Sequence, residues 1–206
     1  MSDEIDQSKR HFLTVATVVV GAIGVCVTAV PFVTSMNPSA KALALGGPTD
    51  IDYSKIEPGA LIKAVWRNKP VWVVQRGQVA LAELPKNDPL LRDPDSAEPQ
   101  QPAYAKNGWR SIKPDLFVVV GICTHLGCSP LYVPQPGDPS VGPTWPGGFH
   151  CPCHGSLYDL AGRVFKNVPA PLNLPVPRHR YLNDKVVRIG EDPVDSHSTW
   201  TEPLVW

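Results

Sequence analysis

Cys123-Thr124-His125-Leu126-Gly127-Cys128 and Cys151-Pro152-Cys153-His154-Gly155-Ser156 hold four of the five cysteines and two of the six histidines in this 206-residue chain. Each stretch offers one Cys and one His at metal-ligand spacing, C-x-H in the first and C-x-x-H in the second, plus a further Cys. Twenty-five residues separate His125 from Cys151. Two ordinary readings compete for these residues. Two cysteines and two histidines close a structural zinc tetrahedron, and four cysteines pair as two disulfides in an oxidising compartment. Zinc leaves two cysteines spare, and disulfides leave His125 and His154 without a task.

Outward from the boxes the chain is strand-like. The first box follows directly on Phe117–Ile122 (FVVVGI), a β-branched run that predicts a strand. Ala60–Trp66 and Val71–Gln75 predict two more, joined by a hairpin turn at Asn68-Lys69-Pro70, and Lys185–Ile189 predicts another. Gln78–Leu84 fits either a strand or a short helix. Residues 85–114 and 129–148 are Pro-rich and polar and read as surface loops. With 24 Pro and 16 Gly the chain is loop-rich, and 43% hydrophobic residues suffice for one core. The fold class expected is all-β with long loops, over residues 59–206.

The amino-terminal part differs. Phe12 to Val33 is 22 residues without a charged side chain, flanked by Lys9 and Arg10 before it and by no charge until Lys41. As a helix it is roughly 33 Å long, enough to cross the hydrocarbon core of a bilayer. It is apolar all round, which excludes an amphipathic surface helix. It is also longer than the centre of a cleaved secretory signal, typically about 7–15 residues. The basic flank places residues 1–11 in the cytoplasm and everything after the anchor (12–33) across the membrane. Cys26, inside the span, reads as a small apolar packing residue. Residues 34–58, with Gly46-Gly47-Pro48, read as a flexible tether, and Ala40–Leu45 within it could form a helical turn. Equal numbers of basic and acidic residues, 19 of each, remove the electrostatic basis for nucleic-acid binding. No paired-carboxylate site stands out, and neither Gly46-Gly47 nor Gly147-Gly148 has the lysine and helix of a phosphate loop.

The boxes C-T-H-L-G-C and C-P-C-H-G-S resemble, residue by residue, those of the Rieske [2Fe–2S] proteins in the form found in cytochrome bc complexes. With the anchor, the small-residue hinge and Pro169-Ala170-Pro171-Leu172-Asn173-Leu174, the whole chain is similar to the iron–sulfur subunits of ubiquinol–cytochrome c reductases. The resemblance implies an all-β Rieske domain of antiparallel sheets with a cluster-binding subdomain and a short helix and loop insertion, which favours helix for Gln78–Leu84. It implies that Cys123 and Cys151 bind one iron, that His125 and His154 bind the other, and that Cys128 pairs with Cys153. Rieske ferredoxins and dioxygenases typically lack that extra cysteine pair. Val168 departs from the glycine often found at the start of the Pro loop. Ser8-Lys9-Arg10-His11-Phe12-Leu13 resembles a twin-arginine export signal with Lys9 in place of the first arginine. The insertions, and the lack of a stretch before the anchor for a mitochondrial presequence, suggest the bacterial form, single-pass in the inner membrane with its head on the periplasmic side.

The implied chemistry follows from charge. Two ferric ions, two sulfides and two thiolates sum to zero with neutral histidines, so one electron enters a neutral centre. Histidine ligation accordingly raises potentials to about −150 to +300 mV. By resemblance Ser156 and Tyr158 donate hydrogen bonds to a bridging sulfide and to the sulfur of Cys123, raising the potential further. His154 and His125 contact ubiquinol and accept its proton, and Leu126 shields the cluster. The head takes one electron from ubiquinol at cytochrome b and swings to cytochrome c1, contributing to proton-motive force, within a dimeric complex. Alternatives are an anchored Rieske carrier of the arsenite-oxidase type and a non-redox zinc module. His150, His11, His179 and His197 read as solvated residues without a role.

Overall fold

Val71-Trp72-Val73-Val74 is buried throughout and lies in β3 (Lys69–Gln75), the middle strand between β2 (Leu61–Trp66) and β4 (Leu116–Val120). A continuous apolar strand is stable only when both of its faces are covered, and the period of two divides these side chains between two cores. Trp72 and Val74, with Phe117 and Val119 of β4, belong to a core that also holds Cys123, Phe149, Cys151 and Tyr158. Val71 and Val73, with Leu116 and Val118, face Ile51, Tyr53, Val187 and Ile189 on the other side. All pairings in this sheet are antiparallel, with Trp72 opposite Lys63 and Val119.

The computed structural model describes residues 6–40, 42 and 46–196. The chain forms two compact units, 1–44 and 45–206. In the second unit two further three-stranded antiparallel sheets flank the central one. β1 (Thr49–Asp52) pairs with β9 (Val186–Ile189), which pairs with β8 (His179–Tyr181). β5 (Leu131–Val133), β6 (Gly148–Cys151) and β7 (Ser156–Asp159) form the sheet that carries the second box. The domain is thus the expected all-β arrangement.

Several local expectations change. The β2–β3 turn falls at Arg67 and Asn68, both left-handed (φ 49° and 61°) as a tight two-residue hairpin requires. Lys69 and Pro70 already belong to β3, so proline here opens a strand rather than making the turn. Gln78–Glu83 is helical (α2). The expected tether 34–58 is too long: Thr49–Asp52 are a sheet strand and Ile51 and Tyr53 are core residues. Even Gly46 and Gly47 are tied to the domain, their carbonyls accepting from Arg67 Nε (3.1 Å) and Trp66 Nε1 (2.9 Å). Ala40 and Ala42 are helical, while the rest of the turn anticipated over 40–45 falls on Lys41 and 43–45, outside the described residues.

The insertion at 85–114 is not the surface loop its polarity suggested. Three buried guanidiniums fasten it to the turn after β7. Arg163 pairs with buried Asp159 (2.8 Å) and donates to Leu84 O and to Asp88. Arg110, fully buried, donates to Ala161 O, Gly162 O and Gln101 Oε1. Arg76 donates to Trp109 O, Leu160 O and Ser111 Oγ. Burial pushes Arg110 down to about 9 and Arg76 to about 10, which still leaves both charged and held by carbonyl dipoles. Likewise 129–148 supplies β5 and the buried Trp145, whose Nε1 donates to Val133 O.

The first unit contains α1 (Gln7–Ser35), a 29-residue helix with no buried side chain. Asp6 caps it by accepting from Ser8 N and Lys9 N. Its apolar window has a mean hydropathy of 2.4, and the helix is long enough to cross a membrane. Thr14, Thr17, Thr28 and Thr34 return their hydroxyls to carbonyls one turn back, so the polar groups in the apolar run are satisfied within the helix.

His179, read from sequence as solvated, is completely buried on β8. Its Nδ1 lies 2.8 Å from Pro177 O and therefore donates, leaving Nε2 buried without a hydrogen-bond partner. Desolvation pushes its pKa from 6.5 down to about 4. Because the folded value is depressed, the unfolded chain binds the proton first as pH falls. The stability is fully present above about pH 6.5 and is lost progressively down to pH 4, by about 3 kcal/mol. Equilibrium unfolding of the detergent-solubilised chain at pH 7.5, 5.5 and 4.5 checks this, and His179→Leu is expected to remove that part of the slope.

Candidate metal centre

The first box is a closed loop at the end of β4. Cys123 N–H donates to Cys128 O (2.7 Å) and Gly127 N–H to Cys123 O (3.0 Å). The second box is the β6–β7 hairpin: Cys151 pairs in register with Ser156, and Gly155 N–H closes the loop onto Cys151 O (2.9 Å). Both turns end on a glycine in the left-handed region, Gly127 at φ 82° and Gly155 at φ 74°, where a side chain would be strained. A disulfide between Cys128 and Cys153 joins the two loops, with Cα atoms 6.6 Å apart.

The strand register sorts the donors by depth. Cys123 and Cys151 are free thiols at 1% and 2% exposure, packed in the core beside Phe149 and Tyr158. His125 is half-buried and His154 exposed, with ring centroids 4.8 Å apart and planes nearly perpendicular. Leu126 is 67% exposed beside them. Cys151 Sγ also lies within 4.8 Å of both disulfide sulfurs. Those two sulfurs carry no thiolate, so Cys123 and Cys151 are the cysteines able to hold a cation. Burial pushes the Cys151 thiol up, and Cys123 pushes it further the same way. A cation beside Cys151 would oppose that shift, and Cys123 with the two imidazoles completes a mixed sulfur and nitrogen donor set. This is the donor chemistry a histidine-ligated iron–sulfur cluster requires.

Around the thiols stands a hydrogen-bonded shell. Tyr158, wholly buried, places its Oη 3.2 Å from Cys123 Sγ and accepts from Thr124 N (3.2 Å). Burial, and then the Cys123 contact, hold its phenol far above the ordinary value, so it keeps its proton. Thr124 Oγ1 is 3.1 Å from Tyr158 Oη and donates to Leu172 O (2.7 Å), joining the first box to the Pro loop. Ser156 Oγ, fully buried, accepts from Ala170 N in the same loop (3.1 Å). The sequence did not single out Thr124 or the Ala170 amide. A threonine next to a candidate ligand cysteine was a usable signal, whereas a backbone amide has none.

The remaining histidines lie elsewhere. His150 sits between Phe149 and Cys151 on β6, so the strand alternation turns it away from the core these two enter. His11 lies in α1 and His179 in β8, and His197 falls outside the described residues.

The Rieske [2Fe-2S] domain family matches residues 105–178, and a family described as the ubiquinol-cytochrome c reductase Fe-S subunit TAT signal matches residues 1–39. A ubiquinol-cytochrome c reductase iron-sulfur subunit of Allochromatium vinosum is 60% identical over 188 residues, 91% of each chain. The subunit of the same description from Blastochloris viridis is 42% identical, covering 92% of this chain and 96% of that one. A solved structure titled Hyperthermophilic respiratory Complex III aligns at 29% identity with a TM-score of 0.46, over 84% of this chain and 98% of that chain.

The disulfide closes a loop spanning 25 residues of sequence. Removing it as a Cys128→Ser/Cys153→Ser pair is expected to lower stability by about 3–4 kcal/mol. Denaturant unfolding of the two proteins measures this, and the same pair is expected to shorten the lifetime of the visible cluster absorption.

Proposed function

The chain belongs to the family of ubiquinol–cytochrome c reductase iron–sulfur subunits, and on that footing we propose that His154 and His125 are the groups through which it meets ubiquinol. It is a membrane-anchored subunit of the cytochrome bc1 complex and carries a [2Fe–2S] cluster. In this reading Cys123 and Cys151 hold the inner iron as thiolates, and His125 and His154 hold the outer one. The cluster, when bound, supplies a one-electron acceptor and donor.

The observation that carries the proposal is the division of the donors: thiols buried, His154 exposed and His125 half-buried, with the two rings 4.8 Å apart. An imidazole that binds iron through one nitrogen keeps the other free to accept a hydrogen bond from a quinol hydroxyl and then its proton. The more negative the centre behind the ring, the higher its pKa, which couples the proton to the electron. Tyr158 offers its proton to Cys123 Sγ, and Ser156 offers its own towards the cluster, both favouring the reduced state. Exposed Leu126 gives the tip an apolar surface for the quinone pocket of cytochrome b.

The two-unit organisation, a head from residue 45 onward and an anchor that ends before it, supports delivery of the electron to the haem of cytochrome c1 by movement of the tethered head. The hydrogen bonds onto the Gly46 and Gly47 carbonyls count these two residues with the head rather than with the tether. Lys9 and Arg10 ahead of the apolar run support a cytoplasmic N-terminus, with the head on the periplasmic side of a bacterial inner membrane. Electron transfer from ubiquinol on that side releases protons there and so contributes to proton-motive force, in a complex proposed to be dimeric.

An EPR-monitored redox titration of membranes across a pH series tests the reading. The midpoint is expected to fall by up to about 59 mV per pH unit once an imidazole of the oxidised protein titrates. Ser156→Ala and Tyr158→Phe are each expected to lower it with the cluster retained. A midpoint independent of pH contradicts proton-coupled transfer, and unchanged midpoints in both variants contradict the hydrogen-bond assignment.

A further inference from the structure

Four prolines, at 169, 171, 175 and 177, strip backbone donors from the loop that covers the cluster site. Backbone bonds fasten its far end, Leu174 N–H donating to Gly162 O and Val176 N–H to Gln100 O (both 2.8 Å), and one buried side chain reaches out of it in two directions. Asn173 is completely buried. Its Oδ1 accepts from Val164 N (2.8 Å), while its Nδ2 donates to Asp93 O (3.0 Å) and faces Asp93 Oδ2 (3.4 Å). A side-chain amide accepts at its oxygen and donates from its nitrogen, and both halves are used here. Asp93 is itself fixed, its carboxylate accepting from Ala97 N and Glu98 N. Asn173 therefore clamps the Pro loop between Val164, which bridges to Tyr158 of β7, and the insertion that the buried arginines hold down.

The loop touches the surroundings of the centre at two points, Leu172 O under Thr124 Oγ1 and the Ala170 amide, and the second reaches Ser156. Ala170 N–H donates to Ser156 Oγ (3.1 Å). A backbone amide can only donate, so the serine oxygen is the acceptor and its own proton is left for another partner. A serine hydroxyl rotates freely between acceptors unless something occupies its lone pairs. With the amide in place, the direction left to the proton is the one the preceding section assigns to it, towards the cluster.

We propose that Asn173 is a positioning residue for the redox centre: by clamping the Pro loop it keeps the Ala170 amide on Ser156 and so directs the serine proton, which sets the midpoint potential. The proposal rests on the role of Ser156 given above. It also assigns a task to the insertion at 85–114, whose Asp93 is the other jaw of the clamp.

The test is a double-mutant cycle in the intact membrane-bound complex, read by EPR-monitored titration of the wild type, Ser156→Ala, Asn173→Ala and the double variant. Asn173→Ala is expected to lower the midpoint in the same direction as Ser156→Ala and by less. The double variant is expected to match Ser156→Ala alone, because Asn173 acts only through that hydroxyl. A loaded Asn173→Ala protein with an unchanged midpoint overturns the proposal, and so do shifts that add in the double variant. An unchanged midpoint in Ser156→Ala itself overturns the underlying reading of the serine, and the proposal with it. Should Asn173→Ala fail to retain a cluster, Asp93→Ala loosens the same jaw more gently. A smaller downward shift in that variant supports the clamp, and no shift overturns it.

Discussion

The covalent bond between Cys128 and Cys153 is the constraint on which the site depends. Its two loops come from different sheets, one ending β4 in the central sheet and the other forming the β6–β7 hairpin. Each loop carries one buried thiol and one outward imidazole, so a small slip of one loop past the other would separate both pairs. The bond restricts that slip, and the closing hydrogen bonds onto Cys128 O and Cys151 O fix each loop internally.

Depth is the second organising feature. Alternation along β6 sends Phe149 and Cys151 inward and His150 outward, and the core that receives Cys151 also receives Cys123 and Tyr158. The two thiols thus occupy the low-dielectric side, where on the proposed reading a cluster would compensate their charge, and the imidazoles lie towards solvent. The Pro loop covers the inner side, linked to Thr124 through Leu172 O and to Ser156 through Ala170 N. Behind it the insertion, fastened by Arg76, Arg110 and Arg163, makes a rigid support from residues whose polarity suggested solvent.

That contrast shows where sequence reading succeeds. The two boxes were legible because ligand chemistry restricts residue type and spacing, and the central strands because burial on both faces leaves an unbroken β-branched run. Strands of three or four residues such as β1, β5 and β8 were missed, since so short a run carries too little periodicity. The buried arginines and His179 were missed for a different reason. Their burial is compensated by distant carbonyls, such as Ala161 O for Arg110 and Pro177 O for His179, and partner geometry of that kind leaves no trace in local composition. Thr124 and Asn173 belong to the same class, their partners lying 48 and 80 residues away.

The most direct test of the account is the coordination of the reduced centre. Pulsed EPR on protein grown with 15N-labelled histidine counts the nitrogens coupled to the cluster. The account predicts two strongly coupled histidine nitrogens in the wild type, with both couplings unaffected by His150→Gln. One coupled nitrogen, or none, would contradict the assignment of His125 and His154 as the outer ligands and with it the proposed route for the quinol proton.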